Sequence, residues 1–548
     1  MQSKKLKLRE VDCVPFDDQR SGTAGLRKKV TVFQQQHYLE CFVQSIFDTL
    51  KLEPGSTLVL GGDGRYYNRE AVQTISAMAA ANGIGRMIIG QGGLLSTPAA
   101  SNLIRTRKAA GGIILSASHN PGGPDGDFGI KFNTASGGQA PEQLTETAYA
   151  RSLACDRYKI ADTAALELDT PGESAIGDTV VEIVDPVSDY AELMEELFDF
   201  ELLRSALKRK ICLHFDALNA ATGPYANRIF CDMLGVSPEC ISNATPLEDF
   251  GGIHPDPNPV DAAHLVKLAM SDGAPDLIGA SDGDGDRNMI LGSGMLVSPG
   301  DSLAIMLANT VVAPGYRNGV AGVARSMPTS RAVDDVAREL GIPCFETPTG
   351  WRFFCNLLEA GKIGLCGEES FGTSSAHTRE KDGLWAILYW LSMMAGLEQS
   401  VGEIVQRHWA RFGRCFFQRR DYMIANADDA DALVQNLSSI ISSVPGSSDT
   451  GQQILEADIF EYTDPVDGSL STNQGIRLFS ADGGRIVLRL SGTGTSGSTL
   501  RVYLDRTEHG PGVAEKSPAD ALASLGETAA AIARIEHFTG LKQPTSTI

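Results

Sequence analysis

The sequence predicts an α/β protein built from repeated units and closed by a smaller α+β domain. Three observations carry this. Short apolar runs alternate with helix-like stretches from residue 56 to 160, which is the sign of an α/β layer. The pattern restarts at Lys210-Ile211-Cys212-Leu213-His214-Phe215-Asp216 and again at Gly319-Val320-Ala321-Gly322-Val323-Ala324. From about Cys415 the composition turns to strands and turns and ends in a helix over 519–537. A chain of 548 residues is too long for one core and suggests about three to five domains.

The elements of the first unit follow in order. Residues 57–60 read as a strand that ends at Gly61-Gly62-Asp63-Gly64-Arg65. A helix over 71–81, a strand over 86–89, a helix over 99–109 and a strand over 112–115 come next. Segment 161–178 is polar and rich in Thr, Asp, Glu and Gly, so it reads as a surface excursion. The longest apolar stretch, 386–397, is broken by Ser392 and Gly396. It is too short to span a bilayer and reads as a buried helix. Segment 437–453, with Pro445-Gly446 and paired serines, reads as a loop after a helix.

Composition narrows the function classes. The chain is 42% hydrophobic and 21% charged, with a formal net charge of -21. That charge argues against nucleic acid and anionic membrane as partners. The first residues, Met1-Gln2-Ser3-Lys4-Lys5-Leu6, show no secretory apolar region. The ten cysteines are scattered without a CxxC pair. Reduced thiols in a cytoplasmic compartment fit them better than disulfides or a zinc site. Positive charge is local: Arg27, Lys28 and Lys29 near the start, and Arg477, Arg485, Arg489 and Arg501 in the last quarter. Guanidinium groups are natural phosphate holders, although Arg477 and Arg485 also read as ordinary surface charges.

Two loops carry chemistry. Ser116-Ala117-Ser118-His119-Asn120-Pro121-Gly122-Gly123 follows the apolar run Gly111-Gly112-Ile113-Ile114-Leu115. Ser118 therefore stands where a buried strand ends, at the mouth of an α/β sheet where ligands bind. Ser281-Asp282-Gly283-Asp284-Gly285-Asp286-Arg287 follows Leu277-Ile278-Gly279-Ala280. In an extended segment residues two apart face the same way, so the three carboxylates converge. Together they are costly unless a cation joins them. A calcium EF-hand fails, because its sixth position would be Arg287 and its twelfth Ser293. Three carboxylates with open positions suit magnesium.

A resemblance emerges from the order of four motifs: Ser116 to Gly123, Asp282 to Arg287, Cys366-Gly367-Glu368-Glu369-Ser370-Phe371-Gly372, and Arg489-Leu490-Ser491-Gly492-Thr493-Gly494. Pro348-Thr349-Gly350-Trp351 and Arg379-Glu380-Lys381-Asp382-Gly383 lie between them. With Gly22-Thr23-Ala24-Gly25-Leu26-Arg27, the set resembles the α-D-phosphohexomutase superfamily, most closely its phosphoglucomutase branch, over almost the whole chain. The resemblance implies three α/β domains of similar topology plus a smaller α+β C-terminal domain around a central cleft. The expected divisions are 1–196, 197–303, 304–412 and 413–548. It implies interconversion of glucose 1-phosphate and glucose 6-phosphate, with Mg2+ and glucose 1,6-bisphosphate as intermediate and activator, by a monomer or weak dimer. A mutase for mannose phosphate or another hexose phosphate, a metal-dependent phosphatase and a non-enzymatic scaffold of the same fold are the alternatives.

Residue roles follow. Ser118 is the expected phosphoserine, beside a metal held by Ser118, Asp282, Asp284 and Asp286. Arg27 and Arg287 neutralise charge. Lys131 and Lys381 are acid–base candidates whose pKa a cationic cleft would lower. His119 is a further acid–base candidate or a loop-fixing hydrogen-bond partner. Glu368 and Ser370, two residues apart, are expected to face one side and bind adjacent sugar hydroxyls, with Thr349 and Gly350 in a companion loop. Arg489, Ser491, Gly492, Thr493 and Arg501 form a nest for the phosphate that is not reacting. Two departures from the branch are Arg352, where lysine is expected, and Ser116, where threonine is common.

Overall fold

The computed structural model describes residues 7–424, 426–441, 444–446, 452–492 and 498–548. Three of its sheets repeat one plan. In the first, Thr57–Gly62 lies between Arg86–Leu94 and Gly111–Leu115, all parallel, and Asp127–Thr134 returns antiparallel beside Gly111–Leu115. In the second, Leu213–Asp216 lies between Ile241–Ser242 and Leu277–Ala280, with Met289–Gly292 returning antiparallel. In the third, Val323–Ser326 lies between Cys344–Thr347 and Leu365–Glu368, with Gly372–Ser375 returning antiparallel. The serine loop, the aspartate loop and the sugar loop all occupy the same place. Each is the connection from the third parallel strand to the antiparallel return. Ligands of open α/β sheets gather at such carboxyl ends.

The runs form these elements for local reasons. Gly111–Leu115 is buried throughout, as an apolar run between two covered faces requires. The following helix starts are capped. Ser96 accepts from the Ala99 N–H at the head of Thr97–Thr106, where Pro98 also fits the first turn. Asp382 accepts from the Trp385 N–H at the head of Gly383–Leu397. That helix is the apolar stretch of the sequence, and its tryptophans Trp385 and Trp390 are fully buried in the largest core. Among the described residues no helix is long and apolar enough to cross a membrane.

The fourth sheet has six antiparallel strands, and its central members are Arg485–Gly492, Ser498–Glu508 and Arg414–Ile424. Pro518–Ile532 packs on it within a separate core. The predicted helix over 519–537 is broken at Arg534, whose φ of 49° starts a new short helix, Ile535–Thr539. The predicted helix over 99–109 ends at Thr106, and Lys108 takes a positive φ of 51°. Segment 161–178 is only in part an excursion. Gly172–Ile176 is an edge strand paired with Thr179–Val184, and its outward polar residues hid it from an apolarity reading. The expected loop 437–453 begins inside the helix Ala427–Ile440, and 442–443 and 447–451 lie outside the described residues.

Candidate active site

Ser118 is 2% exposed and adopts a φ of 53°, a left-handed conformation uncommon outside glycine and worth noting at a functional loop. Its surroundings fix that turn. The Ser118 N–H donates to Ser116 Oγ at 2.7 Å. The Ser118 carbonyl accepts from Arg65 Nη2 at 2.7 Å. Arg65 is itself fully buried, paired with Asp63 at 2.9 Å, and also donates to the Asp127 carbonyl. Ser118 Oγ then donates to Asp282 Oδ2 at 2.7 Å and lies 3.3 Å from His119 Nδ1.

The aspartate loop approaches so closely that side chains are excluded. A Cβ on Gly283 would lie 2.3 Å from the Ser118 carbonyl oxygen. The loop is a turn, closed by the Gly285 N–H on the Asp282 carbonyl at 3.1 Å, so the carboxylates converge by turning and not by the extended alternation expected. They do converge: one oxygen from each of Asp282, Asp284 and Asp286 lies within 4.8 Å of the others, and all three residues are buried. Asp282 Oδ1 accepts the N–H groups of Asp286 and Arg287 at 2.9 and 3.0 Å. Asp284 Oδ2 accepts from Thr97, Ser116 and Lys131 at 2.8, 2.8 and 2.9 Å. Asp284 Oδ1 and Asp286 Oδ1 are buried with no partner. Orphaned carboxylate oxygens of this kind, on an oxygen-only donor set, fit a hard divalent cation.

Charge explains the rest. Burial and the neighbouring Asp286 and Asp284 push Asp282 well above the usual carboxylate range. Burial works the same way on Asp284, but the Lys131 and Lys381 ammonium groups outweigh it and hold Asp284 low. The expected lowering of the lysines is overturned. Burial does push them down, yet Lys131 sits 2.9 Å from Asp284 and Lys381 3.1 Å from Asp286, and these carboxylates raise both above the ordinary value. His119 is lowered by burial and then by Arg287, Arg27, His254 and Lys381. Arg27, on the edge strand Leu26–Lys29, has a buried Nε without a partner and is lowered mainly by burial. Arg287 does not rely chiefly on its neighbouring aspartates. Its guanidinium donates to Asp256 at 2.9 Å and stands 4.0 Å from Asp282.

In the third unit Glu368 Oε1 accepts the Gly350 N–H at 3.2 Å, which joins the two expected sugar loops. Thr349 Oγ1 is buried with no partner. The strand stops at Glu368, and Phe371 has a φ of 65°. Ser370 therefore sits on a tight turn and is not aligned with Glu368 by strand alternation. Burial raises Glu368, against the pull of Lys381.

In the fourth unit Arg489 and Arg501 are directly opposite partners on adjacent strands, as are Ser491 and Thr499, and Gly492 pairs with Ser498. Like charges directly opposite are unfavourable, and Arg501 Nε is buried without a partner. Thr493 and Gly494 lie outside the described residues. Arg485 and Arg477 are not surface charges. Arg485 is fully buried, 2.6 Å from Asp505, and donates to the Met327 and Thr329 carbonyls of the third unit. Arg477 bridges Asp458 and Glu346 at 2.6 and 2.5 Å. Both tie the C-terminal sheet to the third unit.

Sequence reading missed Arg65, Asp63, Thr97, Asp256 and Glu380. Glu380 accepts from Asn133 and Gln139, and burial raises it to about 7. The signal for Arg65 was present: its loop ends a strand as the serine loop does. Ser116 uses its hydroxyl on both Ser118 and Asp284, and Arg352 makes a surface pair with Glu142 at 2.9 Å.

Comparison with known proteins bears on the fold and the family. Models of the phosphoglucomutase/phosphomannomutase α/β/α domains I, II and III match residues 18–159, 188–293 and 299–412, and the phosphoglucomutase-1 C-terminal domain matches 414–545. The phosphoglucomutase of Rhizobium radiobacter is 54% identical over 538 residues, covering 98% of this chain and 99% of its own. Human phosphoglucomutase-1 is 47% identical, with 98% and 99% covered. The open-form crystal structure of the Paramecium phosphoglucomutase pp63/parafusin superposes with a TM-score of 0.92 at 44% identity, covering 100% of both chains. The chain belongs to the phosphoglucomutase/phosphomannomutase family, with three α/β domains of one plan and a C-terminal domain of the phosphoglucomutase-1 type.

Proposed function

We propose that this chain interconverts α-D-glucose 1-phosphate and glucose 6-phosphate through a phosphorylated Ser118 and a glucose 1,6-bisphosphate intermediate. The observation that carries the reading is the Ser118 hydroxyl, 2.7 Å from Asp282 at the edge of three converging carboxylates. Asp282, Asp284 and Asp286, with the Ser118 oxygen, would hold magnesium, which would neutralise charge on the phosphoryl group being transferred.

The chain's own residues do the remaining work. Phosphoryl transfer asks mainly for positioning and charge stabilisation. Arg65 and Ser116 hold the Ser118 turn. Arg27 and Arg287 bring positive charge to the same place, and Lys131 stays fixed on Asp284. The phosphoserine donates its phosphoryl group to the free sugar hydroxyl, and after the bisphosphate reorients, Ser118 accepts the other phosphoryl group. Proton removal from the attacking hydroxyl, and its return, falls to His119, beside the serine oxygen, or Lys381, between Asp286 and Glu368. Glu368, Ser370, Thr349 and Gly350 bind sugar hydroxyls. Arg489, Arg501, Ser491, Gly492 and Thr493 hold the non-reacting phosphate, and the C-terminal domain closes and opens as the intermediate turns. The Glu368-Glu369-Ser370-Phe371 form of the sugar loop favours glucose. The scattered thiols fit a cytoplasmic setting.

The test is a coupled assay on glucose 1-phosphate, with and without magnesium and catalytic glucose 1,6-bisphosphate, joined to phosphopeptide mapping. Turnover that needs both, with label on Ser118, is expected. Label elsewhere, or turnover on mannose 1-phosphate alone, overturns the reading.

A further inference from the structure

Cys13, Cys41 and Cys155 are far apart in sequence and share no metal-binding spacing, yet the fold brings their sulfurs together. Strand Lys7–Asp12 pairs antiparallel with Arg157–Asp162, Asp12 opposite Arg157. The Cys13 N–H extends that ladder onto the Asp156 carbonyl at 2.8 Å, which sets Cys13 beside Cys155. Helix Tyr38–Leu50 supplies Cys41 from beneath. All three sulfurs lie within 4.8 Å of one another, and those of Cys13 and Cys155 are 3.9 Å apart. Cys41 and Cys155 are buried and Cys13 is half-buried, so one side of the cluster is open to solvent.

We propose that these residues form a three-thiolate site for a soft divalent cation of the zinc and cadmium class. The 3.9 Å between the Cys13 and Cys155 sulfurs is the spacing of such a site. With metal–sulfur bonds of about 2.3 Å, three ligand sulfurs stand roughly 3.8–4.0 Å apart, and a water takes the remaining position in tetrahedral geometry. Thiolate donors select soft cations over magnesium, so this site and the carboxylate cluster sort their ions by chemistry. A disulfide does not describe the cluster. Its sulfurs would stand at about 2.05 Å, and it would leave the third thiol unused. Buried cysteines are often mere small hydrophobes, but among the described residues no other three cysteines lie this close.

The three thiols differ in how readily they lose a proton. Hydrogen bonds from Cys41 and then Cys13 lower Cys155 to about 7, against the effect of burial. The same bonds and burial push Cys41 up, while burial lifts Cys13 to about 11. An arriving cation displaces the thiol protons to water, so binding releases protons and tightens with pH. The bound ion would fasten the N-terminal strand to the helix and to the segment leading to Arg27, which raises stability by linkage.

The experiment uses the full chain, reduced and stripped of metal, in excess magnesium to occupy the carboxylates. Cadmium is titrated while thiolate-to-metal charge-transfer absorption is followed in the ultraviolet. A 1:1 endpoint is expected. Cys13→Ser, Cys41→Ser and Cys155→Ser should each weaken binding by at least the roughly 10–100-fold that even outer partners of metal sites contribute. Exposed Cys212 is the control, and Cys212→Ser should bind as the parent does. In the unaltered chain, zinc should protect the three cysteines from alkylation, read by peptide mass spectrometry, and this readout does not depend on any variant folding. No charge-transfer band in the parent, a band that survives all three serines, or a loss of two hydrogens with no metal bound overturns the site.

Discussion

The region around Ser118 and the region around Arg489 handle charge in opposite ways. Near Ser118 the polar groups are held from several elements at once: Asp284 alone accepts from Thr97, Ser116 and Lys131, and Arg65 fastens the serine loop from beneath. In the C-terminal sheet Arg489 faces Arg501 across the ladder, and Arg501 Nε has no partner. One half of the proposed cleft is therefore built before substrate arrives. The other sets two guanidiniums face to face, which suits the proposed seizing and releasing of phosphate at either end of a sugar. Preorganised charge serves the step where bonds change, whereas a holding site that moves with its domain gains from being completed by its ligand.

The strongest way to break this comparison is at the hydroxyl. Ser118→Ala removes the group proposed to receive phosphate while leaving the Arg65 and Ser116 contacts to its backbone intact. Turnover should fall by at least about 10^4-fold, the scale seen when a nucleophile is removed, with thermal unfolding unchanged. A variant that keeps a tenth of parental turnover would show that the built half is scaffolding for another nucleophile.

Arg485 tests whether neighbouring arginines of one sheet divide as the comparison says. It is fully buried against Asp505, Met327 and Thr329, so Arg485→Met strands a buried carboxylate. Removing one partner of a buried pair costs about 3–5 kcal/mol, and Arg331, 2.7 Å from Asp505, places the expected loss at the lower end. Denaturant unfolding of the variant measures it. An unaltered midpoint would mean that the C-terminal sheet is not anchored through this residue.

Much of the built half was legible in the sequence, and the reasons are local. Ser118 and the three aspartates follow apolar runs that could only be buried strands, and glycines mark where the chain turns. The similar topology showed as a pattern of runs, without which the three loops could not have been placed at equivalent strand ends. What stayed hidden depends on partners distant in the chain. Arg485 looked like a surface charge because Met327 and Thr329 come from another unit. The lysines looked like candidates for lowered pKa because a cleft with other cations was expected around them, and Asp284 and Asp286, which pair with them, are distant in sequence. Arg65, Asp256 and the convergence of Cys13, Cys41 and Cys155 likewise needed tertiary structure.

The carboxylates sharpen the comparison further. Asp284→Asn keeps the shape of the side chain but halves its donors to a cation and weakens its hold on Lys131. Turnover at fixed magnesium should drop about 100-fold, more than loss of an outer partner alone, and added magnesium should recover part of it. Chelation should silence the parent and magnesium restore it. Activity indifferent to chelator would make the aspartate loop a structural turn and remove the chemical meaning of its two orphaned oxygens.

The smallest expected effect is the one that separates the two halves most cleanly. Arg501→Ala removes a guanidinium that faces another guanidinium, which offsets part of what Tyr503, Asp421 and Glu369 contribute to holding its charge. Stability should fall by about 1 kcal/mol at most, the centre of the range for single substitutions, and so by less than in Arg485→Met sixteen residues earlier in the chain. Function should respond more than stability does. A charge-assisted hydrogen bond contributes about 1.5–3 kcal/mol, so KM for glucose 1-phosphate and for glucose 6-phosphate should each rise about 10-fold or more. A weaker hold also lets the bisphosphate escape before it has turned. The variant should then need more added glucose 1,6-bisphosphate for full turnover, whereas Ser118→Ala is not rescued at any concentration. The measurement is a titration of the bisphosphate against parent and variant at fixed glucose 1-phosphate, with unfolding followed in parallel. A large fall in stability would mean that the facing guanidiniums are satisfied within the protein. Parental KM and parental need for the bisphosphate would place the distal phosphate elsewhere in the cleft.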